Sequence, residues 1–288
     1  MENLKESTME SILLQANDGA SARIYTHGAH ISSWIPAGGQ EQLFLSKTTE
    51  LREGAAIRGG VPVIFPQFAA MGSLPRHGFA RTALWRVVRS GQIDGGAAQA
   101  VFALQENIAR LQIWPYVFRA ELTVTVLADA LQMDFSVVNS GDTSFQFTCA
   151  LHTYCAVAQI GAVRLHGLQG LHYRDSSNGG SEALETAENL SITTEIDRIY
   201  AAVNGPLELR QPHQRMQISQ TGFNDAVVWN PGAEKGSTLS DLESDGYQRL
   251  LCVEAGAVLQ PIRLAPGGSW SGSQRLCVFA ATNPNATA

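Results

Sequence analysis

The chain lacks several features that would place it in a common functional class. No apolar run approaches the roughly 20 residues that a membrane-spanning helix needs, and the first residues are too polar for a secretory signal. No GxSxG elbow, Walker loop or dinucleotide-binding fingerprint occurs, which removes the commonest hydrolase, kinase and dehydrogenase signals. We therefore expect a cytoplasmic protein without a membrane partner.

Cysteine is scarce, and neither cysteine nor histidine has metal-ligand spacing. The four cysteines lack a CxxC pair and lie in apolar runs, which favours reduced core thiols over disulfides or a zinc knot. No HxH or HExxH cluster occurs, and structural or surface roles are assigned to His27, His30, His166, His172 and His213. The sequence predicts no metal site.

Positive charge is also in deficit. The chain has 20 basic against 26 acidic residues, a formal charge of -6, and no lysine-rich block. A protein that binds the phosphate lattice of DNA or RNA needs a basic surface, so this balance argues against a nucleic-acid partner. A single phosphate monoester needs only a local basic pocket, and a small phosphorylated ligand therefore remains compatible with the composition.

What the chain does have is a long series of strand-like segments. With 288 residues, 44% of them hydrophobic, it can bury a large core. Short apolar or alternating runs punctuated by Gly, Asn, Asp and Pro extend from about residue 9 to residue 280. Residues 121–127, 131–139 and 144–154 are predicted to form successive antiparallel hairpins. The pattern predicts an all-β fold, a large antiparallel β-sandwich.

Helical signals are few. Only residues 48–54 and 181–189 look helical or loop-like, and neither segment could form a separate domain. We therefore expect one domain over residues 1–288, with a core at about 9–280 and a frayed tail at 282–288. No internal repeat is present.

His152 lies in the alternating segment SFQFTCALHTY. Alternation places Phe145, Phe147, Cys149 and Leu151 on one strand face and His152 with the polar residues on the other. A polar strand face that carries a histidine can be simply solvated, or it can form the floor of a ligand cleft. The residues alone leave both readings open.

Glu254 stands in RLLCVEAGAV, which is apolar on both alternating faces and is typical of a strand covered on both sides. Burial disfavours the charged form of a carboxyl group and should raise its pKa toward the range that suits a general base. The alternative is a structural glutamate paired with Arg249 or Arg263.

Two arginines and a histidine could bind an anion. In LPRHGFARTALW an imidazole and a guanidinium, those of His77 and Arg81, stand four residues apart, and Arg58 lies upstream beside Gly59 and Gly60, which permit close approach of a ligand. Two arginines can hold a phosphate dianion through charge-assisted hydrogen bonds worth about 1.5–3 kcal/mol each. Alternatively, the arginines are solvated surface charges and His77 satisfies a loop carbonyl.

Asp225 opens the segment DAVVWN after a turn. It could cap that turn by accepting hydrogen bonds from nearby backbone amides, or it could contact a ligand. The adjoining Trp229 is expected to pack in the core and brace the strand.

Taken together, these motifs resemble the hexose-6-phosphate mutarotases, also called glucose-6-phosphate 1-epimerases, of the aldose 1-epimerase superfamily. The resemblance spans most of the chain and implies a galactose mutarotase-like sandwich, a small sugar phosphate as substrate, no cofactor and no obligate protein partner. Cys155, where an aromatic residue is usual, and Gln159, where a shorter polar residue is usual, depart from the pattern.

The resemblance also implies roles for particular residues. Glu254 is the expected base on the C1 hydroxyl and His152 the expected acid toward the ring oxygen. Substrate binding is expected of Arg58, His77, Arg81 and Asp225. Two other functions stay open: a non-catalytic sugar-phosphate sensor, and a carbohydrate-active hydrolase or lyase whose two carboxylates would be Asp225 and Glu254.

Overall fold

The computed structural model describes residues 9–280, and their regular structure is almost entirely β-strand. The strands, in chain order, are β1 (Ser11–Gln15), β2 (Ser21–Tyr25), β3 (His30–Ile35), β4 (Val63–Ile64), β5 (Arg86–Gln92), β6 (Ala98–Gln105), β7 (Phe118–Val126), β8 (Ala130–Asn139), β9 (Phe145–Leu151), β10 (Tyr154–Ala156), β11 (Arg164–His166), β12 (His172–Asp175), β13 (Ser181–Leu184), β14 (Asn189–Leu190), β15 (Ile196–Tyr200), β16 (Leu207–Arg210), β17 (Gln214–Thr221), β18 (Asp225–Asn230), β19 (Leu250–Leu264) and β20 (Ser269–Ala280).

Two short α-helices occur in this part of the chain, α1 (Ile108–Ile113) and α2 (Gly232–Ser237). Neither they nor any other helix of residues 9–280 is long and apolar enough to cross a membrane. The predicted frayed tail at 282–288 lies outside the described residues, and the expected limits of the domain are therefore not tested.

The strands form three antiparallel sheets. A three-stranded sheet has the order β1-β2-β3. The eight-stranded sheet, which we call the front sheet, has the order β13-β12-β15-β18-β19-β9-β4, with β10 paired to β19. The nine-stranded sheet, the back sheet, has the order β14-β11-β16-β17-β20-β8-β7-β6-β5. The bonded neighbours pair antiparallel, as the sequence predicts.

The front and back sheets bury one large apolar core between them. In β7 every second residue is buried, and the inward side chains of β8 continue the same layer. From the front sheet, Phe145, Phe147, Cys149 and Leu151 enter this core, which confirms the predicted alternation of β9. Burying one such large apolar side chain contributes about 1.5–3 kcal/mol. The predicted β-sandwich is confirmed.

Two local predictions are wrong. β7 and β8 form the predicted hairpin, but β9 pairs with β19 and β4 in the front sheet, so residues 140–144 cross from one sheet to the other. Turn-forming residues indicate where the chain reverses direction, but they do not determine which strand the next strand pairs with. Residues 181–184 form the exposed edge strand β13, although their composition looked helical or loop-like. The other such segment, 48–54, contains turns and no helix.

Candidate functional site

The outer face of the front sheet, which points away from the main core, carries the candidate site. Leu151 pairs with Ala255, so His152, directly after β9, lies beside Glu254 of β19. Val227 of β18 is opposite Glu254 on the other side. Pairing between distant strands thus brings together two side chains that are far apart in sequence.

His152 and Glu254 form a close, buried pair. Nε2 of His152 lies 3.3 Å from Oε1 of Glu254, and the two side chains are 10% and 1% exposed. His152 Nδ1 and Glu254 Oε2 are buried and have no hydrogen-bond partner among the described residues. The alternative pairing of Glu254 with Arg249 or Arg263 is wrong, because Arg249 binds Glu243 and Asp245, each at 2.5 Å, and Arg263 is exposed and forms no ion pair with Glu254.

The surroundings of the pair favour its uncharged form. Burial raises the pKa of the Glu254 carboxyl well above its usual range, and the negative charge of Asp197 raises it further. Burial also lowers the pKa of the His152 imidazole well below its usual range, and the nearby His77 imidazole and the positive charges of Arg81 and Arg58 add to this. The raised pKa of Glu254 agrees with the expectation from the sequence. The lowered pKa of His152 was not predicted from the sequence.

Aromatic rings fix the imidazole of His152. The ring of Tyr154 stacks on it, with centroids 4.8 Å apart and planes 10° apart. His77 approaches it edge-on at 5.6 Å, and Trp229 at 6.2 Å. Trp229 therefore packs, as expected, but it packs against residues of the site. These contacts restrict how the imidazole can rotate.

Arg58 is held in place by its own partners and is not a freely solvated charge. Its Nε and Nη2 donate to Asp241 Oδ1 at 3.1 and 3.0 Å, and Nη1 donates to the hydroxyl of Tyr154 at 3.1 Å. Its guanidinium also lies 5.8 Å from the ring of Trp229. Asp241, in a loop after α2, gave no sequence signal.

Gly59 and Gly60 serve a different purpose from the one predicted. A Cβ on Gly59 would lie 2.3 Å from the carbonyl oxygen of Phe44, and one on Gly60 would lie 2.1 Å from that of Ile31. The close approach that these glycines permit is to the chain's own backbone. They seat the loop that carries Arg58, and the expectation of a ligand at this point is corrected accordingly.

His77 and Arg81 lie on one loop that reaches toward His152. His77 adopts a left-handed backbone with a φ of 67°, and its Nδ1 accepts a hydrogen bond of 3.3 Å from the amide of Ala69. Burial, followed by the positive charges of Arg81, Arg76 and Arg58, lowers the pKa of His77 to about 3. The imidazole is therefore neutral near pH 7. It bonds the loop backbone by accepting from an amide, and not by satisfying a loop carbonyl as one of the two readings expected.

Arg81 stands in a short 3-10 turn, Ala80–Thr82. Its Nη2 donates to the carbonyl of Arg76 at 3.1 Å, and its Nε is buried without a partner among the described residues. No carboxylate of residues 9–280 forms an ion pair with it within 4.0 Å. A guanidinium with unfilled donors is well suited to accept an anion.

Asp225 shares the outer face of the front sheet but is already engaged. It is 4% exposed, and its Oδ2 accepts hydrogen bonds of 2.8 Å from the amides of Val258 and Leu259. These amides lie where the register of β19 against β9 shifts, between Ala257 and Ile262. Asp225 thus holds a bulge in the neighbouring strand and does not simply cap its own turn. Burial raises the pKa of its carboxyl, and the two amides oppose that rise.

Asp197 was missed by sequence reasoning. It lies on β15 opposite Trp229, which is opposite Cys252, so it belongs to the same outer face. Its side chain is half-buried, and burial raises the pKa of its carboxyl. It stands next to Arg198 in the strand IDRIY, so it resembled an ordinary charged surface residue and gave no distinct signal.

One group of buried side chains in residues 9–280 has the chemistry of metal ligands. Ligand atoms of His152, Cys252 and Glu254 lie within 4.8 Å of one another. However, burial raises the pKa of the Cys252 thiol well above its usual range, so the thiolate that a metal needs is disfavoured. The guanidinium of Arg58 close to this group also repels a cation. We assign no metal ligand here, and the absence of a cofactor stays a prediction.

The arrangement is suited to transferring protons to and from two oxygens that are bonded to one carbon atom of a small polar ligand. Two groups 3.3 Å apart can reach two oxygens that are bonded to the same carbon. One of the groups can remove a proton while the other supplies one. Arg58 and Arg81 can bind an anionic group of the same ligand at the side where His152 lies.

Comparison with known proteins gives a consistent family. The sequence model described as "Aldose 1-epimerase" matches residues 10–277. A protein of Cenchrus ciliaris named "Putative glucose-6-phosphate 1-epimerase" is 32% identical over 276 residues, which cover 92% of this chain and 84% of that protein. A protein of Escherichia coli K12 with the same name is 33% identical over 234 residues, covering 79% of this chain and 76% of that protein.

Solved structures agree. A crystal structure from Salmonella typhimurium described as a "putative mutarotase" has a TM-score of 0.87 and 27% identity, covering 97% of this chain and 96% of that chain. Galactose 1-epimerase from Lactobacillus acidophilus has a TM-score of 0.73 and 14% identity, with 98% of each chain covered, and supports the fold alone. The fold is thus galactose mutarotase-like, as predicted. The chain belongs to the aldose 1-epimerase family of carbohydrate isomerases.

Proposed function

We propose that the protein interconverts the α and β anomers of a hexose 6-phosphate, with glucose 6-phosphate as the first substrate to test. The observation that carries this proposal is the buried contact of 3.3 Å between His152 Nε2 and Glu254 Oε1. The names of the relatives from Cenchrus ciliaris and Escherichia coli support the choice of a phosphorylated sugar.

The reaction needs one base and one acid. The carboxylate of Glu254 takes the proton of the C1 hydroxyl, and the imidazolium of His152 gives a proton to the ring oxygen. The bond between C1 and the ring oxygen breaks, and C1 becomes an aldehyde. After rotation about the C1–C2 bond, His152 takes the proton back from the ring-forming hydroxyl, that oxygen attacks the other face of C1, and Glu254 gives its proton to the former aldehyde oxygen. No redox step and no external reactant are needed.

The remaining residues bind and orient the sugar. Arg58 and Arg81 would hold the 6-phosphate through charge-assisted hydrogen bonds, and this binding energy would place C1 at the acid and the base. His77 would contact the substrate beside His152. Asp225, with one oxygen engaged by two amides, would present the other oxygen to a sugar hydroxyl.

Two observations favour this function over the open alternatives. A binding protein has no need for a carboxyl group whose pKa burial raises beside an imidazole whose pKa burial lowers. A glycosidase needs two carboxylates that flank the scissile bond. Here the group in contact with Glu254 is an imidazole at 3.3 Å and not a second carboxylate.

The test is to add the protein to freshly dissolved α-glucose 6-phosphate and follow the appearance of the β anomer by NMR, with free glucose as the control. We expect fast exchange with the phosphorylated sugar and slower exchange with glucose. Since the pair must hold one proton during ring opening, the rate should follow a bell-shaped curve in pH. A protein that binds the sugar phosphate without accelerating exchange would contradict the proposal.

A further inference from the structure

Two positive charges of the site, those of Arg58 and Arg81, act on the imidazole of His152. The front sheet has the order β15, β18, β19, β9, with Asp197 on β15, Glu254 on β19 and His152 after β9. Arg58 lies beside His152, because it donates to Tyr154 at 3.1 Å and Tyr154 stacks on the imidazole at 4.8 Å; Arg81 is on the loop of His77, whose ring is 5.6 Å from that of His152. An anion bound by the arginines would therefore lie closer to His152 than to Glu254.

Different charged groups act on His152 and on Glu254. Arg81 and Arg58 act on His152 and disfavour its cationic form. Asp197 acts on Glu254 from the opposite side and disfavours its anionic form. Both influences, together with burial, hold the unliganded pair as a carboxylic acid and a neutral imidazole. This is the opposite of what ring opening needs, because the base must be ionised and the acid must carry the proton.

We propose that the 6-phosphate of the substrate, besides orienting the sugar, sets the protonation state of the catalytic pair. When the dianion lies on Arg58 and Arg81, one proton passes from Glu254 Oε1 to His152 Nε2 across the contact of 3.3 Å. The inference rests on the proposed function, because it needs the phosphate to bind at these arginines.

The proton transfer is balanced within the pair. Glu254 loses the proton and becomes the carboxylate, while the lone pair of His152 Nε2 accepts it and Nδ1 keeps its own proton. No proton enters or leaves the protein. The dianion offsets the two guanidinium charges and attracts the new imidazolium, so the charge-separated pair becomes favourable only in the complex.

Other groups face the pair but do not provide this switch. His77 is buried and neutral near pH 7, and Tyr154 is uncharged because burial raises the pKa of its phenol. Asp241 offsets part of the charge of Arg58 and stays bound to it. The titratable or charged groups around the pair are His77, Arg58, Arg76, Arg81, Tyr154, Asp197, Asp241 and Cys252.

The direct test measures the pKa of His152 by NMR of protein with ¹⁵N-labelled histidine, with and without inorganic phosphite as the dianion. We expect phosphite to raise the pKa of His152 by about one unit or more, which gives roughly tenfold more imidazolium at a pH above that pKa. An unchanged pKa at every phosphite concentration overturns the inference.

Two variants separate this effect from a merely structural one. In Arg81→Ala the pKa of His152 should already be higher without phosphite, because a repelling charge is gone, and phosphite should raise it less. Arg119→Ala removes a half-exposed arginine of the back sheet that pairs with Glu121, and it should respond to phosphite like the unmodified protein. Equal responses in all three proteins would contradict the inference.

A kinetic experiment distinguishes the inference from the proposed function. The substrate is an aldopentose pyranose, which lacks C6 and its phosphate, and phosphite is added separately. We expect a saturable increase in kcat/KM for anomer exchange, strongly reduced in Arg81→Ala. If glucose 6-phosphate itself is not epimerised, the proposed function fails, although the NMR result can still stand. If glucose 6-phosphate is epimerised but phosphite leaves both the pKa and the pentose rate unchanged, only the inference fails.

Discussion

Two buried glutamates of this protein have opposite surroundings. Glu185, 6% exposed, accepts hydrogen bonds from Arg198 at 3.0 Å, from Tyr200 at 2.9 Å and from the amide of Ala187 at 3.0 Å. Glu254, 1% exposed, has one neighbour at 3.3 Å, His152, and one oxygen without a partner among the described residues. A buried carboxylate is costly unless it is paired. The Glu185 region meets this requirement, and the Glu254 region does not.

The arginines show the same contrast. Arg198 binds both Asp175 and Glu185 and lies 4.3 Å from the ring of Tyr173. Arg81, at the candidate site, bonds a backbone carbonyl and no carboxylate in the described part of the chain. The difference indicates that the first region is built to stabilise the fold. The second leaves the guanidinium of Arg81 without a carboxylate partner in the described residues, which agrees with the proposed binding of an anion.

The largest expected effect separates the two glutamates by activity. Glu254→Gln and His152→Ala should each lower turnover by about 10²–10⁴-fold, because each removes a proton-transfer group. Glu185→Gln should leave turnover close to normal but lower the free energy of unfolding by about 1–3 kcal/mol, because a buried ionic contact is lost. Anomer-exchange rates and urea denaturation measure the two quantities. Similar turnover in Glu254→Gln and Glu185→Gln would contradict the assignment of a catalytic role to Glu254 and a structural role to Glu185.

The next effect concerns the unpaired arginine. Arg81→Ala should lower kcat/KM for glucose 6-phosphate by roughly 10–100-fold, since a charge-assisted hydrogen bond is worth about 1.5–3 kcal/mol. Exchange of free glucose should fall much less. Arg58→Ala should show the same preference, although it also releases Tyr154. Equal losses on both sugars would exclude a phosphate-binding role.

The stability of Glu254→Gln should depend on pH. Because burial raises the pKa of Glu254 in the folded protein, wild-type stability from this group is complete below the unfolded pKa near 4.5 and is lost as pH rises toward the folded pKa. At pH near 7 the variant should therefore be more stable than the wild type by about 1 kcal/mol or more, since one pKa unit corresponds to about 1.4 kcal/mol.

Denaturation of both proteins at neutral pH and about one pH unit below 4.5 measures this difference. It should shrink at the lower pH, where Glu254 is protonated in both the folded and the unfolded chain. A variant that is less stable by the same amount at both pH values would show that the carboxylate of Glu254 is well satisfied after all.

The smallest expected effect tests Asp197. Its negative charge helps to raise the pKa of Glu254, so Asp197→Asn should lower that pKa by a fraction of a unit and change turnover only a few-fold. ¹³C NMR of the Glu254 carboxyl carbon measures the shift. If the pKa of Glu254 rises or stays unchanged, Asp197 does not act on the pair.

Local patterns in the sequence predicted the faces of single strands but not their partners. The alternation of β9 placed Phe147 inside and His152 outside, and the apolar setting of Glu254 predicted its burial. These properties depend only on neighbouring residues. The crossing from β8 to β9 and the partner of Arg58, Asp241, depend on how distant segments pack. The local periodicity of a sequence does not predict such contacts.

Electrostatic properties were predicted as far as they follow from burial alone. An apolar strand around Glu254 was enough to predict the direction of its pKa. The lowered pKa of His152 depends partly on His77, Arg81 and Arg58, which come from two loops, so it required the folded arrangement. The role of the glycines beside Arg58 also could not be predicted from local sequence, because they pack closely against the backbone of Phe44 and Ile31, which are distant in sequence.

The most direct test of the central claim is NMR magnetisation exchange between the α and β anomers of glucose 6-phosphate at equilibrium, with the unmodified protein, Glu254→Gln and Glu185→Gln. The account predicts rapid exchange with the unmodified protein and with Glu185→Gln, and the spontaneous rate with Glu254→Gln. Rapid exchange in all three proteins, or the spontaneous rate in all three, would contradict it.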